Sequence, residues 1–242
     1  DMPLEADLHL HTLASGHAYS TLKEMVLAAR EKGLKMIALT DHGPRMPGGP
    51  HLYHFTNLAA LPRVMEGIEV LRGVEANILD ANGTLDLPDS VLQDLDIVLA
   101  GLHRGTGFDG ASSEEYTKAA IEALKHPRVH LIVHPGNPEF PIDLERLVLA
   151  AADLGKALEI NNSSLSISRP GSLPRCRQLA RLAKRYGVWI AINSDAHVYT
   201  SVGDFSKGLE LAWEAGIGEG QILNLTVSRV KGYLKGHGVS LD

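Results

Sequence analysis

Seven short apolar runs, near residues 6–11, 35–40, 69–76, 97–102, 129–134, 157–161 and 188–193, punctuate this chain at intervals that leave room for a helix between most of them. Runs of that length, rich in Val, Ile and Leu, predict strands. Helical segments fill the gaps. Thr21 to Lys32 stops at Gly33, Ser112 to Lys125 opens on the Ser112/Glu115 capping-box spacing, Asp143 to Leu154 precedes Gly155, and Ser172 to Tyr186 precedes Gly187. Two more helical patterns, 204–214 and roughly 227–235, follow the last strand. Strands alternating with helices imply a parallel sheet covered on its faces. A length of 242 residues suits one such unit, so residues 1–242 are expected to form a single domain.

Composition agrees and narrows the function classes. Hydrophobic residues make up 44% and aromatics 5%, as in a helix-wrapped parallel sheet. A formal charge of -6 offers no basic footprint for a nucleic acid backbone, which makes a polynucleotide partner unexpected. Cys176 stands alone, so an internal disulfide is excluded and a reducing, cytoplasmic setting is expected. No apolar run reaches the roughly 20 residues needed to span a bilayer, and no basic-then-apolar export signal opens the chain. The run PRMPGGP at 44–50 predicts an ordered loop overhanging whatever site the strand ends build. Asn82-Gly83, between alternating flanks, predicts a type I′ hairpin after the third strand.

The chemistry is written where strands give way to loops. Seven of the twelve histidines, with one glutamate and one aspartate, fall there: His9, His11, His17, His42, Glu75, His103, His134, Asp195 and His197. A barrel gathers its strand ends on one face, whereas an open sheet would spread them, so the expected fold is α/β, a distorted seven-stranded TIM-like (β/α)7 barrel. On a strand, His9 and His11 project to one face about 6 to 7 Å apart and can chelate one ion, with Leu8 and Leu10 opposite. Glu75 is the one acid inside the apolar stretch LRGVEAN, where an unpaired carboxylate is costly, so it needs cations nearby and has two oxygens with which to bridge them. An ion pair with Arg72 is the alternative. Asp41 is read as a hydrogen-bond partner fixing an imidazole tautomer, or as a helix cap. His130, about 13 Å down its strand from His134, is expected at the opposite end of the barrel and outside the cluster. His54, just past the overhanging loop, is open to either a substrate contact or a surface role. Imidazoles and carboxylates without thiolates suit zinc, with manganese or iron as substitutes, and nine ligands suffice for three ions.

The segments DLHLHTLASGHAYS, ALTDHGP, LRGVEANI, HPGNP, LEINNSS and NSDAH resemble, in this order, the PHP (polymerase and histidinol phosphatase) family, and nearly the whole chain resembles its compact YcdX-like phosphatase branch. The resemblance implies a distorted seven-stranded barrel with a trinuclear, usually zinc, centre. It implies that His9, His11, Glu75 and Asp195 hold one ion, Glu75, His103 and His134 a second, and His17, His42 and His197 a third. It further implies attack on a phosphomonoester by a metal-bridging hydroxide, with Glu75 and Asp195 as the catalytic carboxylates.

Arg169, in the loop SISRPGS, is the candidate for holding substrate phosphate, because a guanidinium matches phosphate with two parallel hydrogen bonds. Arg104 is a weaker assistant, and Asn161 and Asn162 either line the pocket or close the turn. The expected activity is a phosphatase of small phosphomonoesters, with a small phosphorylated substrate and a homo-oligomer as possible partners. A 3′-to-5′ phosphodiesterase or exonuclease, an amidohydrolase, and a non-catalytic metal-binding module are the alternatives.

Overall fold

The computed structural model describes residues 3–242. Seven parallel strands follow one another around a nearly closed barrel: β1 (Ala6–Leu10), β2 (Met36–Leu39), β4 (Ile68–Asn77), β5 (Ile97–Gly101), β6 (Leu131–Ile132), β7 (Ala157–Asn161) and β8 (Ile190–Asn193). A two-residue strand that the sequence does not announce, β3 (Val64–Met65), folds back antiparallel onto β4. The main outer helices are α1 (Leu22–Glu31), α4 (Ser113–Lys125), α5 (Leu144–Leu154), α6 (Ser172–Tyr186) and α7 (Ser206–Glu214). Short turns α2 (Leu52–Thr56) and α3 (Asp89–Leu92) make the crossovers on either side of β4, so the helical layer is thinnest there.

Local chemistry accounts for the helix ends. Thr21 and Glu24 form a reciprocal capping box at α1. Ser112 accepts from Glu115 N–H at 3.1 Å, half of the box its spacing predicts, and Asp143 caps α5 by accepting from Arg146 N–H. Gly155 and Gly187 end α5 and α6 in the left-handed conformation. The last helix, α8 (Val227–Gly236), does not join the outer ring. Its Val230, Tyr233 and Leu234 pack with Ala6, Leu8 and Leu131 inside the barrel and seal the end away from the C-terminal ends of the strands.

Apolar side chains fill two layers, one between the strands and the outer helices and a smaller one inside the barrel. Inside, Leu71, Leu99, Ala157 and Ala191 form a dry floor. On β4 the alternation carries that face from Leu71 to Glu75, and on β7 from Ala157 to Glu159. β1 departs from the expected simple alternation. Its pairing with β2 slips between Asp7 and Leu10, and Leu8 joins the inner layer while Leu10 joins the outer one. The extra residue of this bulge lets apolar Leu8 and the imidazole of His9 both face inward.

The barrel closes between β8 and β1 without a regular ladder. One bridge, Leu10 to Ala196, joins them, and side-chain amides do the rest. Asn193 Oδ1 accepts from Leu8 N–H at 3.1 Å. Asn224, from the segment before α8, donates to both Ala6 O and Ile192 O and accepts from Ile192 N–H.

The hairpin after β4 exists, but with a different turn. Ile78 pairs antiparallel with Leu85, Leu79 N–H donates to Thr84 O at 2.8 Å, and Gly83 N–H donates to Asp80 O at 3.1 Å. Only Gly83 has positive φ, at 74°, so a type I′ turn with both central residues left-handed is ruled out. Asp80 decides the matter by accepting from Asn82 and Thr84 N–H, a local turn that a four-residue loop accommodates. The 44–50 loop is ordered, as expected. A Cβ on Gly16 (φ 86°) would lie 2.2 Å from the carbonyl oxygen of Gly48, which fixes the loop against the segment after β1.

Candidate metal centre

The strand-end residues converge on one side of the apolar floor. His9 Nε2 lies 2.9 Å from Glu75 Oε1 and 3.2 Å from Asp195 Oδ1, and His11 Nε2 lies 3.1 Å from both oxygens. The other oxygen of Glu75 faces His103 Nε2 at 2.7 Å and His134 Nε2 at 2.9 Å, while His42 Nδ1 stands 3.2 Å from Oε1. Donors bound to a single tetrahedral cation at about 2.1 Å stand roughly 3.4 Å apart, close to the spacing seen here. His11 Nε2, His42 Nδ1 and Asp195 Oδ1 are buried and make no hydrogen bond among the described residues. Lone pairs crowded together in a dry site repel unless a positive charge lies between them, so the donor set fits divalent cations.

Among the described residues, three groupings are compact enough to hold an ion: His9, His11, Glu75 and Asp195; His42, Glu75 and His103; and His11, His42 and His197. The first has the composition the family resemblance implies. In the second, His42 takes the place expected for His134, which still faces Glu75. In the third, His11 takes the place expected for His17, whose exposed ring stacks on His42 and His197 with centroids 5.0 and 5.1 Å away.

A framework of hydrogen bonds sets which nitrogen of each ring is bare. His9 Nδ1–H donates to Glu159 Oε2 at 2.7 Å, leaving Nε2 toward Glu75 and Asp195. His11 Nδ1–H donates to Ser15 Oγ at 2.9 Å, and Ser15 Oγ–H donates to Asp41 Oδ1 at 2.8 Å. Asp41 is anchored in turn by Thr12 N–H and Thr12 Oγ1–H, so it acts on His11 through a serine and caps no helix. His197 Nδ1–H donates to Asp195 O at 2.8 Å. Such partners fix ring orientation and raise ligand basicity.

Glu159 is the functional residue that sequence reasoning missed. It is 1% exposed and accepts from His9, His134 N–H, Asn161 and Asn193. The signal was present: an isolated acid in the apolar run ALEIN, the same mark that singled out Glu75. Arg72 turns the other way, donating to Leu61 O, so the proposed pairing with Glu75 is not made.

The electrostatics follow from this packing. Burial opposes the charge on Glu75 and Asp195, but His9 outweighs it, together with His103 at Glu75 and Arg169 at Asp195, and holds both carboxyls well below the usual range. Burial likewise opposes a charged His9, which Asp195, Glu159 and Glu75 raise well above the ordinary imidazole value, and Asp195 and Glu75 lift His11 to about 9 against its own burial. Burial wins at His134 and His197, both lowered to about 4. Backbone conformation adds to the picture. Among the described residues, non-glycine positive φ occurs at Glu66, His134, Arg169 and Asp195, so three of the four lie at this site. Left-handed backbone at bulky residues persists where the surroundings force it.

A PHP domain family model matches residues 7–163. The chain belongs to the PHP family. It is similar to a probable phosphatase of Thermoanaerobacter sp. strain X514, 50% identical over 234 residues that cover 97% of this chain and 96% of that protein. It is also similar to a probable phosphatase of Syntrophotalea carbinolica, 44% identical over 230 residues, 95% of each chain. Among solved structures, the zinc, L-histidinol and phosphate complex of histidinol phosphate phosphatase from Lactococcus lactis matches with a TM-score of 0.61 at 20% identity, covering 88% of this chain and 94% of that one. A likeness at that identity supports the barrel fold.

Beside the histidine cluster of this PHP protein lies a cavity of about 590 Å³, lined by His17, Asp195, His197, Arg169 and serine-rich loops. A depression of about 690 Å³ elsewhere is larger, but no histidine of the cluster lines it. Arg169 reaches the cluster: one terminal nitrogen donates to Asp195 Oδ2 at 2.9 Å and the other to Ser164 and Ser168. Arg104 points away, exposed and bonded to Glu139 at 2.6 Å. Asn161 bridges Glu159 and Asp195 with its amide nitrogen and accepts from Ser164 N–H, serving site and turn together.

The remaining histidines stay outside the cluster. His130 is fully buried beside Tyr233 and His237, with Nδ1 accepting from Val98 N–H at 3.0 Å. His54 Nε2 faces Asp41 at 3.4 Å and His51 caps α2. Among the described residues, no helix is long and apolar enough to cross a membrane.

Proposed function

We propose that this chain is a metal-dependent phosphatase that hydrolyses small phosphomonoesters at a trinuclear zinc-type centre. One observation carries the reading: Glu75 turns one oxygen to His9, His11 and His42 and the other to His103 and His134, the arrangement of a bridging carboxylate. His9, His11, Glu75 and Asp195 would hold the first ion, Glu75, His103 and His134 the second, and His17, His42 and His197 the third, with His11 and His42 close enough to share. Manganese or iron fit the same donors. Divalent cations gathered there would polarise a phosphoryl oxygen and bring water into its ionised form near neutral pH.

The chain's own groups supply position and charge. Glu159, Ser15 and Asp41 orient the rings of His9 and His11 so that Nε2 of each faces Glu75 and Asp195. Arg169 presents a planar donor fork at the cavity wall, where exchanging its partners Ser164 and Ser168 for phosphate oxygens keeps the guanidinium satisfied. Asp195 stays ionised between His9 and Arg169, which suits it to ligate a cation and leaves solvent to protonate the departing alcohol. A cavity of about 590 Å³ and a net charge of -6 favour a small monoester over a polyanion.

The test is phosphate release by the metal-reconstituted chain from a panel of phosphomonoesters, with single-stranded DNA and amide substrates alongside. Turnover of monoesters that chelation abolishes is expected. No release with zinc, manganese or iron would reject the reading, and faster cleavage of DNA would replace it with an exonuclease.

A further inference from the structure

The sequence leaves Asn162 between two readings, a pocket residue or the closure of a turn, and the structure gives its two amide atoms separate tasks. Asn162 Oδ1 accepts from Gly208 N–H at 2.9 Å. Gly208 is the third residue of α7, and first-turn amides have no partner within their own helix. Phe205, at the N-cap position, contributes no side-chain bond, so Asn162 caps α7 from another loop. That bond fixes the orientation of the carboxamide, because only the oxygen can accept.

The amide nitrogen is left over. It finds no acceptor among the described residues, although Asn162 is 7% exposed and lines the same cavity as Asp195, His197 and Arg169. That nitrogen is not cut off from solvent: it opens on the cavity, where water or a ligand can accept from it. Hydroxyls also lie along that wall: Ser163, Ser166 and Ser168 follow β7 and Ser194 and Ser201 follow β8, among Asp204 and the apolar Ile167, Ala196 and Val198. Ser166 donates to the carbonyls of Asn162 and Ser163, which leaves its lone pairs free to accept. Capping α7 explains Oδ1 and nothing else on this surface.

We propose that Asn162 is a specificity-determining residue and that the accepted monoester carries hydroxyls on its alcohol portion, as a polyol or sugar phosphate does. This rests on the phosphatase reading of the same site. Phosphate sits toward Arg169 and the histidine cluster, the amide of Asn162 donates to a substrate hydroxyl oxygen, and the serine wall exchanges hydrogen bonds with the others. A site built this way rejects an alkyl analogue, because its polar groups would be desolvated and left unpaired.

Sorbitol 6-phosphate and hexyl phosphate have the same chain length and place phosphate on a primary carbon, so they differ in the hydroxyls. The metal-loaded chain is expected to favour sorbitol 6-phosphate at least about tenfold in kcat/KM, with the difference mainly in KM. Asn162→Asp keeps an oxygen for Gly208 N–H and removes the donor. Its added charge acts on both monoesters, so the readout is their ratio, which is expected to fall to within about twofold. Calorimetric titration with the same two compounds supplies a readout independent of turnover: at least about tenfold tighter binding of sorbitol 6-phosphate, lost in Asn162→Asp. Equal wild-type constants for the two compounds, or a ratio unmoved by the substitution, would overturn the proposal. Failure to turn over any monoester would sink the phosphatase reading instead, and the titration would still judge Asn162.

Discussion

Glu159 Oε2 accepts the Nδ1 proton of His9 at 2.7 Å, with both side chains wholly shielded from solvent. The contact reaches from the sixth parallel strand of the barrel to the first and decides which His9 nitrogen faces Glu75. Glu159→Gln keeps the volume but supplies either a neutral oxygen or an amide donor, and it removes a charge that balances the cluster. Loss of such a partner costs about 10- to 100-fold in metal affinity or activity. Metal titration of the purified variant, followed by phosphate-release kinetics, is expected to show that loss with folding retained. Unchanged affinity would mean that His9 is oriented by other contacts.

Glu75 and His130 make a contrasting pair, both buried and both on inner strands or their approaches, but at opposite ends of the barrel. Removing Glu75 withdraws two oxygens from five imidazoles. Glu75→Ala is therefore expected to lose more than one metal equivalent, whereas His130→Ala loses none. Elemental analysis of folded, metal-equilibrated protein makes the comparison, and equal losses would reject the bridging role.

Much of this was legible in the residues because two periodicities coincide. Strand alternation carries β4 from Leu71 to Glu75, and a ligand at the end of a strand announces itself as a polar residue closing an apolar run. Legibility fails where the backbone breaks period. The bulge in β1 turns Leu8 inward, β6 shrinks to Leu131–Ile132, and His134 reaches Glu75 through a φ of 34°. Glu159 was lost for another reason: a carboxylate that orients a ligand carries the same sequence mark as one that is a ligand, and its role appears only when His9 is beside it. Asn224 carries no mark, since an asparagine before a helix reads as a turn residue until the barrel's open seam is seen.

At that seam Asn224 satisfies Ala6 O, Ile192 O and Ile192 N–H, all in the dry interior. Asn224→Ala leaves three backbone groups without partners, each costing about 1 to 3 kcal/mol. A destabilisation of about 3 kcal/mol or more is expected in urea unfolding of the metal-free chain. Asn224→Asp, which keeps the acceptor and loses both donations, should fall between or below. A change under about 1 kcal/mol for Asn224→Ala would show that the seam holds without it.

His130 provides a pH signature separate from the metal site. Burial, with Arg128, His237 and Lys156 nearby, lowers its imidazole to about 3, against about 6.5 for an unfolded chain. Between those values the unfolded chain binds the extra proton, so stability rises with pH through the window. The contribution is fully present above about pH 6.5 and is lost progressively as pH falls toward 3, at up to about 1.4 kcal/mol per pH unit. His130→Asn retains an oxygen to accept from Val98 N–H without a titrating ring. Urea unfolding of both metal-free proteins between about pH 7 and 4 is expected to show the wild type losing stability faster than the variant, because the cluster histidines contribute alike to both and cancel. Parallel curves across that range would mean that His130 takes up its proton in the folded chain as readily as in the unfolded one.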